Sequence, residues 1–358
     1  MVSVRAVDVS KRFGDFLAVD HVSIEAKDKE LVTLLGPSGC GKTTTLRIIS
    51  GLVKPDTGKV YFGEKDVTNV PPHKRNIGFV FQKVALFPHM NVYKNVAFGL
   101  KMRKFPKNEI DKRVKEVLKL VRMEGFEERM PSQLSGGQVQ RIDIARVLAT
   151  DPEVLLFDEP LGHLDAKLRD DLKYEIRRIQ KETGKTAIYV THDQAEAFAI
   201  SDKVYVMNHG QVQQIGTPLE LYLNPRSDFV ADFIGTSNFL EGTIAEVIGN
   251  RLKINVQDGL SLVSEPMPNV QEYKVNDNII LSIRPEDVEV IEDPKGKDNV
   301  FEAKIERSTF LGTNTRLMIS LGNRLLKVDL YGPDRFKMVD AVGFRKFHMR
   351  RFTIIKKA

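Results

Sequence analysis

Short apolar runs alternate with helical patterns along the first two thirds of the chain. Four compact runs, rich in Val, Leu, Ile and Phe, predict buried β-strands: Glu30–Gly36, Ile77–Gln82, Glu153–Pro160 and Thr186–His192. The segment Pro106–Val121 carries apolar residues at helical spacing, and a second such segment ends at Gly184. Strands that alternate with helices are typical of an α/β sheet.

The pattern changes after about Asp232. From there the chain reads as short strands separated by turns rich in Gly, Asn and Asp, which predicts a small all-β unit, either a barrel or a sandwich. The change falls near Phe233–Asn238. We therefore expect one domain over residues 1–235 and a second over residues 236–358.

Composition adds little to this division. The chain has 358 residues and a formal net charge of +6, with 42% hydrophobic and 28% charged residues. Because the charges are interspersed, a well-solvated surface explains the net charge better than a nucleic-acid site. The chain has no apolar run long enough to span a membrane, and its N-terminus lacks the apolar core of a secretory signal. The single cysteine, Cys40, excludes an internal disulfide and suits a cytosolic chain.

A phosphate-binding loop stands between the first strand and its helix. The stretch GPSGCGKT, Gly36 to Thr43, fits the pattern G-x-x-x-x-G-K-[ST], and its glycines let backbone N–H groups surround phosphates. Lys42 is expected to reach the β- and γ-phosphates, and the Thr43 hydroxyl to ligate Mg²⁺. Cys40 has no base beside it in sequence, so we interpret it as a small filling side chain of the loop rather than a nucleophile.

Two carboxylates end the strand in VLLFDEP. Successive residues of a strand point to opposite sides, so Asp158 and Glu159 are expected to have different roles. Asp158 fits a Mg²⁺ ligand beside the phosphate loop, and Glu159 fits a general base that polarises the attacking water. His192 ends the next strand and could donate to a γ-phosphate oxygen, although its position alone favours a structural histidine.

With LSGGQ at Leu134–Gln138 placed between the phosphate loop and LLFDEP, the chain resembles the ATP-binding cassette (ABC) ATPases. The resemblance implies an α/β P-loop NTPase cassette with a helical subdomain at about residues 88–150, followed by an OB-like all-β regulatory domain. It also implies that Phe13 stacks on adenine, that Gln82 senses Mg²⁺ and water, that Asp165 lies in the loop after the catalytic glutamate, and that His192 is the switch histidine.

Together these interpretations give the expected site. The catalytic residues are Lys42, Gln82, Glu159 and His192, and the metal ligands are Thr43, Gln82 and Asp158. ATP is expected to contact Phe13, Gly36, Pro37, Ser38, Gly39, Cys40, Gly41, Lys42, Thr43, Thr44, Ser135, Gly136, Gly137, Gln138 and Asp165. The expected cofactors are ATP and Mg²⁺.

The stretches QIGTPLELYLNPRSDFVADFIG and IRPEDV resemble the ATPase subunits of binding-protein-dependent importers of the maltose type. That resemblance implies a head-to-tail homodimer on the cytoplasmic face of the membrane. It also implies two transmembrane permease subunits and, indirectly, a solute-binding protein. A carbohydrate is the favoured solute, with polyamine, iron and sulfate as alternatives. Val84–Met90 forms either a wall of the permease-docking groove or part of the core.

Two other functions remain open at this stage. A nucleic-acid-dependent ATPase of the same superfamily would explain a basic chain with an OB-like tail, but the tail lacks basic residues interleaved with aromatic ones, so no nucleic acid is expected. A phosphate-loop kinase would leave LSGGQ without a role.

Overall fold

The computed structural model describes residues 2–256 and 259–356. The chain divides into two compact units, Met1–Leu219 and Glu220–Ala358. Among the described residues, no helix is long and apolar enough to cross a membrane.

The first unit contains an α/β core. Its strands are β1 (Val4–Phe13), β2 (Phe16–Ala26), β3 (Leu31–Leu35), β4 (Thr57–Phe62), β5 (Lys65–Asp66), β6 (Ile77–Val80), β7 (Val154–Asp158), β8 (Thr186–Thr191), β9 (Lys203–Asn208) and β10 (Gln211–Gly216). Its helices are α1 (Lys42–Ser50), α2 (Val92–Met102), α3 (Lys107–Leu120), α4 (Gly136–Ala149), α5 (Ala166–Thr183) and α6 (Gln194–Ile200). Helix α7 (Pro218–Leu223) contains the point of division.

A six-stranded sheet in the order β10-β9-β3-β8-β7-β6 forms the centre of this unit. The pairs β9–β3, β3–β8, β8–β7 and β7–β6 are parallel, and β10 is antiparallel to β9. Every residue of β3, β7 and β8 is buried, as expected for a parallel sheet covered on both faces. Because the strands are parallel, the carboxyl ends of β3, β7 and β8 meet at one edge of the sheet.

The two faces of this sheet are covered differently. One face packs with α1 against the antiparallel sheet β2-β1-β4-β5, and the other packs against α2 to α6. In α3 the buried residues are Ile110, Val114, Val117 and Leu118, which confirms the predicted apolar stripe. Helix α5 ends at Gly184, whose φ of +60° suits a glycine at a helix C-terminus.

The second unit is largely β-structure. Its helices are α8 (Asp228–Phe233) and α9 (Asp334–Lys337), and its strands are β11 (Asn238–Ile248), β12 (Arg251–Val256), β13 (Ser261–Val263), β14 (Asn278–Ile283), β15 (Val288–Ile291), β16 (Val300–Phe310), β17 (Thr315–Leu321), β18 (Arg324–Leu330), β19 (Gly343–Met349) and β20 (Thr353–Lys356). They form two antiparallel sheets, β13-β12-β11-β14-β20 and β15-β19-β16-β17-β18, around one apolar core. The predicted fold class, an α/β P-loop cassette followed by a small all-β domain, is confirmed.

The boundary expected between residues 235 and 236 falls inside the second unit. Within that unit, the buried guanidinium of Arg284 donates hydrogen bonds to the carbonyls of Tyr222, Ala231 and Thr236. Burial lowers the pKa of Arg284 to about 10. These contacts attach the segment that contains α8 to the β-rich core, although its sequence reads as a continuation of the first domain.

Candidate functional site

Close packing determines the shape of the phosphate loop between β3 and α1. A Cβ atom at Gly36 would lie 2.3 Å from the carbonyl oxygen of Met207, and one at Gly41 would lie 2.4 Å from that of Ala18. Gly41 also has a φ of +101°, in the left-handed region that favours glycine. It is the N-cap of α1 and provides no side-chain hydrogen bond, so the first amides of this helix lack a side-chain cap and suit an anion.

Lys42 crosses the inside of this loop. Its ammonium donates hydrogen bonds to the carbonyls of Gly36 and Pro37, at 2.8 Å each, and the side chain is buried. It contributes to a cavity of about 330 Å³ lined by Phe16, Ala18, Ser38, Gly39, Gly41, Lys42, Thr43, Thr44, Gln82 and Glu159. The lining therefore contains six residues expected to bind nucleotide and three of the four expected catalytic residues, since Lys42 belongs to both sets.

Oxygen donors suited to Mg²⁺ lie beside the cavity. The Thr43 hydroxyl donates a hydrogen bond of 2.8 Å to Oδ1 of Asp158, the last residue of β7. Burial of Asp158 raises the pKa of its carboxyl. Its carboxylate makes no ion pair with any residue in the described ranges, so a bound cation would compensate its charge. A hydroxyl beside a buried carboxylate is a set of oxygen ligands that fits Mg²⁺, so Thr43 and Asp158 are the residues that would hold this ion.

Glu159 follows directly and faces a different set of partners. Its Oε2 accepts a hydrogen bond from Gln82 Nε2 at 3.3 Å and lies 3.1 Å from Nδ1 of His192. The two carboxylates diverge as expected, but strand alternation is not the cause. β7 ends at Asp158, and Glu159 turns into the left-handed region with a φ of +44°, at a cost of about 1–2 kcal/mol. Its backbone N–H donates to the Val190 carbonyl, which ties the turn to β8.

Two residues of the cavity wall, Phe16 and Ala18, are not among the predicted site residues. The expected adenine contact, Phe13, pairs with Phe16 across the β1–β2 hairpin but does not line the cavity. Its ring is half exposed and lies 5.6 Å from the Lys11 ammonium. The repeated phenylalanine in RFGDF was the only sequence signal for Phe16, and it does not reveal which of the two rings faces the loop.

Three residues expected to contact ATP shape the loop instead of lining its cavity: Gly36, Pro37 and Cys40. Cys40 is buried against the core, and burial raises the pKa of its thiol, which supports a filling role. His192 also lies outside the lining and reaches the cavity through Glu159.

Residues Ser135–Gln138 of LSGGQ, called the signature segment below, form the start of α4. Ser135 is the N-cap; its hydroxyl accepts from the Gln138 N–H at 3.4 Å, and the Gln138 side chain accepts from the Ser135 N–H at 2.9 Å. Gly136 and Gly137 leave room for Leu164 and Leu168. None of the four signature residues, all within the described ranges, lines the phosphate-loop cavity of its own chain.

Asp165 is also absent from the cavity lining, although it is a described residue. It is the N-cap of α5, and its carboxylate accepts hydrogen bonds from the N–H groups of Lys167 and Leu168. The signature segment and the loop before α5 are therefore adjacent, because Leu164 and Leu168 pack beneath both glycines.

The segment Val84–Met90 is partly core and partly surface. Leu86 packs against the helical core, and the Phe87 ring lies 4.6 Å from that of Phe98. Ala85, Pro88 and His89 are exposed. The core interpretation therefore fits Leu86 and Phe87, and the docking-groove expectation stays a prediction for the exposed residues.

Comparison with known proteins agrees with this geometry. Residues 19–162 match the family described as "ABC transporter", and residues 281–345 match the family described as "TOBE domain". The chain is 47% identical over 319 residues to a spermidine/putrescine import ATP-binding protein of Clostridioides difficile, covering 89% of this chain and 88% of that one. It is 44% identical to an Fe(3+) ions import ATP-binding protein of Fusobacterium nucleatum, covering 89% and 84%.

Solved structures match the first unit. CbiO1 of Clostridium perfringens, part of the ABC transporter complex cbiONQ, is 33% identical with a TM-score of 0.58 and covers 61% of this chain and 89% of its own. The dimeric cassette MJ0796, in a post-hydrolysis state bound to ADP and Pi, is 34% identical with a TM-score of 0.54 and covers 60% and 98%. The chain is an ATPase that belongs to the ATP-binding proteins of ABC transporters and carries a C-terminal TOBE domain.

Proposed function

We propose that this chain is the ATP-hydrolysing subunit of an ABC importer and that polyamines of the spermidine/putrescine type are its solute. The proposal rests on relatives of 42–48% identity that are named for spermidine/putrescine import and cover most of this chain. A ferric-iron importer protein at 44% identity supports iron as the second candidate. A polyamine, one of the alternatives from the sequence, replaces a carbohydrate as the proposed solute, because the relatives named above are import proteins for polyamines and ferric iron.

Hydrolysis is assigned to the group around Glu159. The observation that carries this assignment is the convergence of Gln82 and His192 on one oxygen of Glu159, at the rim of the cavity that contains Lys42. Glu159 would orient a water and accept its proton, while His192 and Gln82 hold the carboxylate in position. Lys42 would exchange its carbonyl partners for phosphate oxygens. Mg²⁺, held by Thr43 and Asp158 with Gln82 nearby, would supply charge neutralisation at the β- and γ-phosphates.

The active form is a head-to-tail homodimer in this proposal. The signature segment Ser135–Gln138 offers an exposed helix N-terminus, a hydroxyl and no lysine, yet it lies outside its own chain's cavity. A second copy would bring that helix start to the open side of the nucleotide, where its amides complement the γ-phosphate. One cassette per chain makes this an isologous dimer with two ATP sites. A solved structure of the similar cassette MJ0796 is dimeric, which supports the proposal of a dimer.

Transport requires partners outside this chain. We propose that it binds two transmembrane permease subunits at the cytoplasmic face of the membrane, and through them a solute-binding protein. The exposed residues of Val84–Met90, which follow Gln82, are the proposed contact. Purification of the tagged chain from membranes should recover two integral membrane proteins, and recovery of the chain alone from intact membranes would contradict the proposal.

Glu159→Gln tests the catalytic assignment. The variant keeps shape and ATP binding but loses the base, so turnover should fall at least about a hundredfold, the lower end for an essential acid–base residue. It should also accumulate as an ATP-bound dimer in size-exclusion chromatography. Glu153→Gln, at an exposed position directly before the same strand, is the matched control and should keep wild-type turnover. Near-normal turnover of Glu159→Gln would refute the assignment.

Uptake separates the two candidate solutes. Cells that lack this chain should lose uptake of labelled spermidine and regain it with the wild-type chain or Glu153→Gln, but not with Glu159→Gln. Restoration of ferric-iron uptake alone would replace the polyamine with iron while leaving the ATPase assignment intact.

A further inference from the structure

Arg169 connects two loops that flank the proposed catalytic glutamate. It lies in the first turns of α5, and its guanidinium donates a hydrogen bond of 2.9 Å to the carbonyl of Leu164, the residue before Asp165. Another nitrogen donates to Oδ2 of Asp193 at 3.4 Å. Its Nε lies 3.8 Å from Oε1 of Glu196. One planar side chain therefore contacts the loop before α5 and the start of α6.

The acceptors at α6 are themselves fixed. Asp193 caps α6 by accepting hydrogen bonds from the N–H groups of Ala195 and Glu196, at 2.8 and 3.1 Å. Glu196 is buried, and its Oε2 accepts a hydrogen bond from the hydroxyl of Tyr189. Tyr189 is fully buried in β8. Burial raises the pKa of Glu196, so the nearby guanidinium compensates a carboxylate that the core disfavours.

His192 immediately precedes Asp193, the residue that caps α6 and bonds to Arg169. Its ring is half exposed, and the hydrogen bond to Glu159 is the contact that orients it among the described residues. The loop between β7 and α5 begins at Glu159 with tight turns. The Glu159 carbonyl accepts a hydrogen bond from the Gly162 N–H, and the Leu161 carbonyl accepts one from the Leu164 N–H. Arg169 is bonded to the last carbonyl of these turns, that of Leu164.

We propose that Arg169 is a positioning residue for ATP hydrolysis, which holds the turn carrying His192 in register with the loop that begins at Glu159. The inference rests on the proposed roles of Glu159 and His192. Arg169 touches neither of them and acts through Asp193 and Leu164. The planar fork of an arginine reaches acceptors in several directions, whereas a lysine presents one charged point and cannot hold the same set.

The test compares two arginines of the same helix. Arg177 bonds to Asp202 and Gln180, outside the loops described above, and is the matched control. Arg169→Met should reduce kcat by about tenfold to a hundredfold, the range for a remote loss of alignment, with little change in KM for ATP. Arg177→Met should lower the unfolding midpoint in urea to a similar extent and keep wild-type kcat. Equal kcat for the two variants would overturn the proposal.

Arg169→Lys keeps the positive charge and is the second variant, which decides the matter if Arg169→Met does not fold. Arg169→Lys should have the urea midpoint of the wild type but a reduced kcat. A wild-type kcat would refute the claim that the arginine guanidinium aligns the two loops. Combining each Arg169 variant with His192→Ala tests whether Arg169 acts through His192. If the two residues are coupled, their effects on kcat do not simply multiply. In that background Arg169→Lys should reduce kcat by a smaller factor than in the wild type, and an unchanged factor would overturn action through His192.

These outcomes are independent of the Glu159→Gln result. Near-normal turnover of Glu159→Gln would refute the proposed base, whichever way Arg169 behaves. Loss of turnover in Glu159→Gln together with unaffected kcat in Arg169→Lys and Arg169→Met would refute the positioning role alone.

Discussion

Gly41→Ala tests whether close packing shapes the phosphate loop. At φ +101° an alanine occupies the left-handed region, which costs about 1–2 kcal/mol. Its Cβ would also lie 2.4 Å from the Ala18 carbonyl oxygen, so backbone must shift, and overpacking adds about 1–3 kcal/mol. The expected loss in the free energy of unfolding is therefore about 2–5 kcal/mol.

Gly39→Ala is the control for the backbone contribution. Gly39 has a φ of +80°, but a Cβ there meets no atom within 4 Å, so only the conformational cost of about 1–2 kcal/mol applies. The difference between the variants isolates the contact with Ala18. This difference in the free energy of unfolding can be measured by urea titration with the helical circular dichroism signal as the probe, because α1 to α6 lie in the first unit. Equal destabilisation of the two variants would refute the packing argument.

The variants Gly41→Ala and Gly39→Ala should also differ in their affinity for ATP. A shift of Gly41 moves the N-terminus of α1 and Lys42 with it, so Gly41→Ala should weaken ATP binding by at least about tenfold, or 1.4 kcal/mol. Gly39→Ala should weaken it less. Titration calorimetry with a non-hydrolysable ATP analogue measures both affinities, and an unchanged affinity in Gly41→Ala would mean that the loop adapts without loss.

Three further predictions concern single side chains. Lys42→Ala should abolish detectable ATP binding in the same calorimetric titration, because no other described cation lines the cavity. Ser135→Arg should leave ATP binding by one subunit intact and abolish turnover. Loss of ATP affinity in the monomer would refute the proposal that Ser135 contacts the ATP of the second subunit. Burial raises the pKa of Asp143, despite Arg146 at 3.0 Å, so its ionisation weakens the fold as pH rises from 3.8 through the folded pKa. Asp143→Asn should therefore gain stability relative to wild type at neutral pH but not below pH 3.8, as urea midpoints at both pH values would reveal.

Much of the site could be predicted because its residues are tied to strand ends. The phosphate loop follows β3, Asp158 ends β7 and Glu159 follows it, and His192 follows β8. The carboxyl ends of neighbouring parallel strands meet at one edge, so the order of motifs along the chain is enough to bring their side chains together. Buried parallel strands can themselves be predicted, because they appear in the sequence as continuous apolar runs.

The features that sequence reasoning missed depend on contacts between distant segments. Whether Phe13 or Phe16 faces the cavity depends on the register of the β1–β2 hairpin, which has several irregularities. The left-handed turn at Glu159 has no residue signature, since glutamate rarely adopts it. Arg284 lies far along the chain from the carbonyls of Tyr222 and Ala231 to which it donates, so local sequence does not reveal that the segment around α8 packs with the β-rich core.

In the signature segment, the two hydrogen bonds between Ser135 and Gln138 differ in length. Within one subunit, the bond from Ser135 N–H to the Gln138 side chain is 2.9 Å, whereas the bond from Gln138 N–H to the Ser135 hydroxyl is a long 3.4 Å. The first bond keeps the helix start in shape, and the second is too long to be strong. In the proposed dimer, the Ser135 hydroxyl would therefore turn towards a phosphate bound by the second subunit at little cost, while the helix start remains ordered. That proposal gives the signature segment a function as half of an ATP site whose other half is the phosphate loop of the second copy.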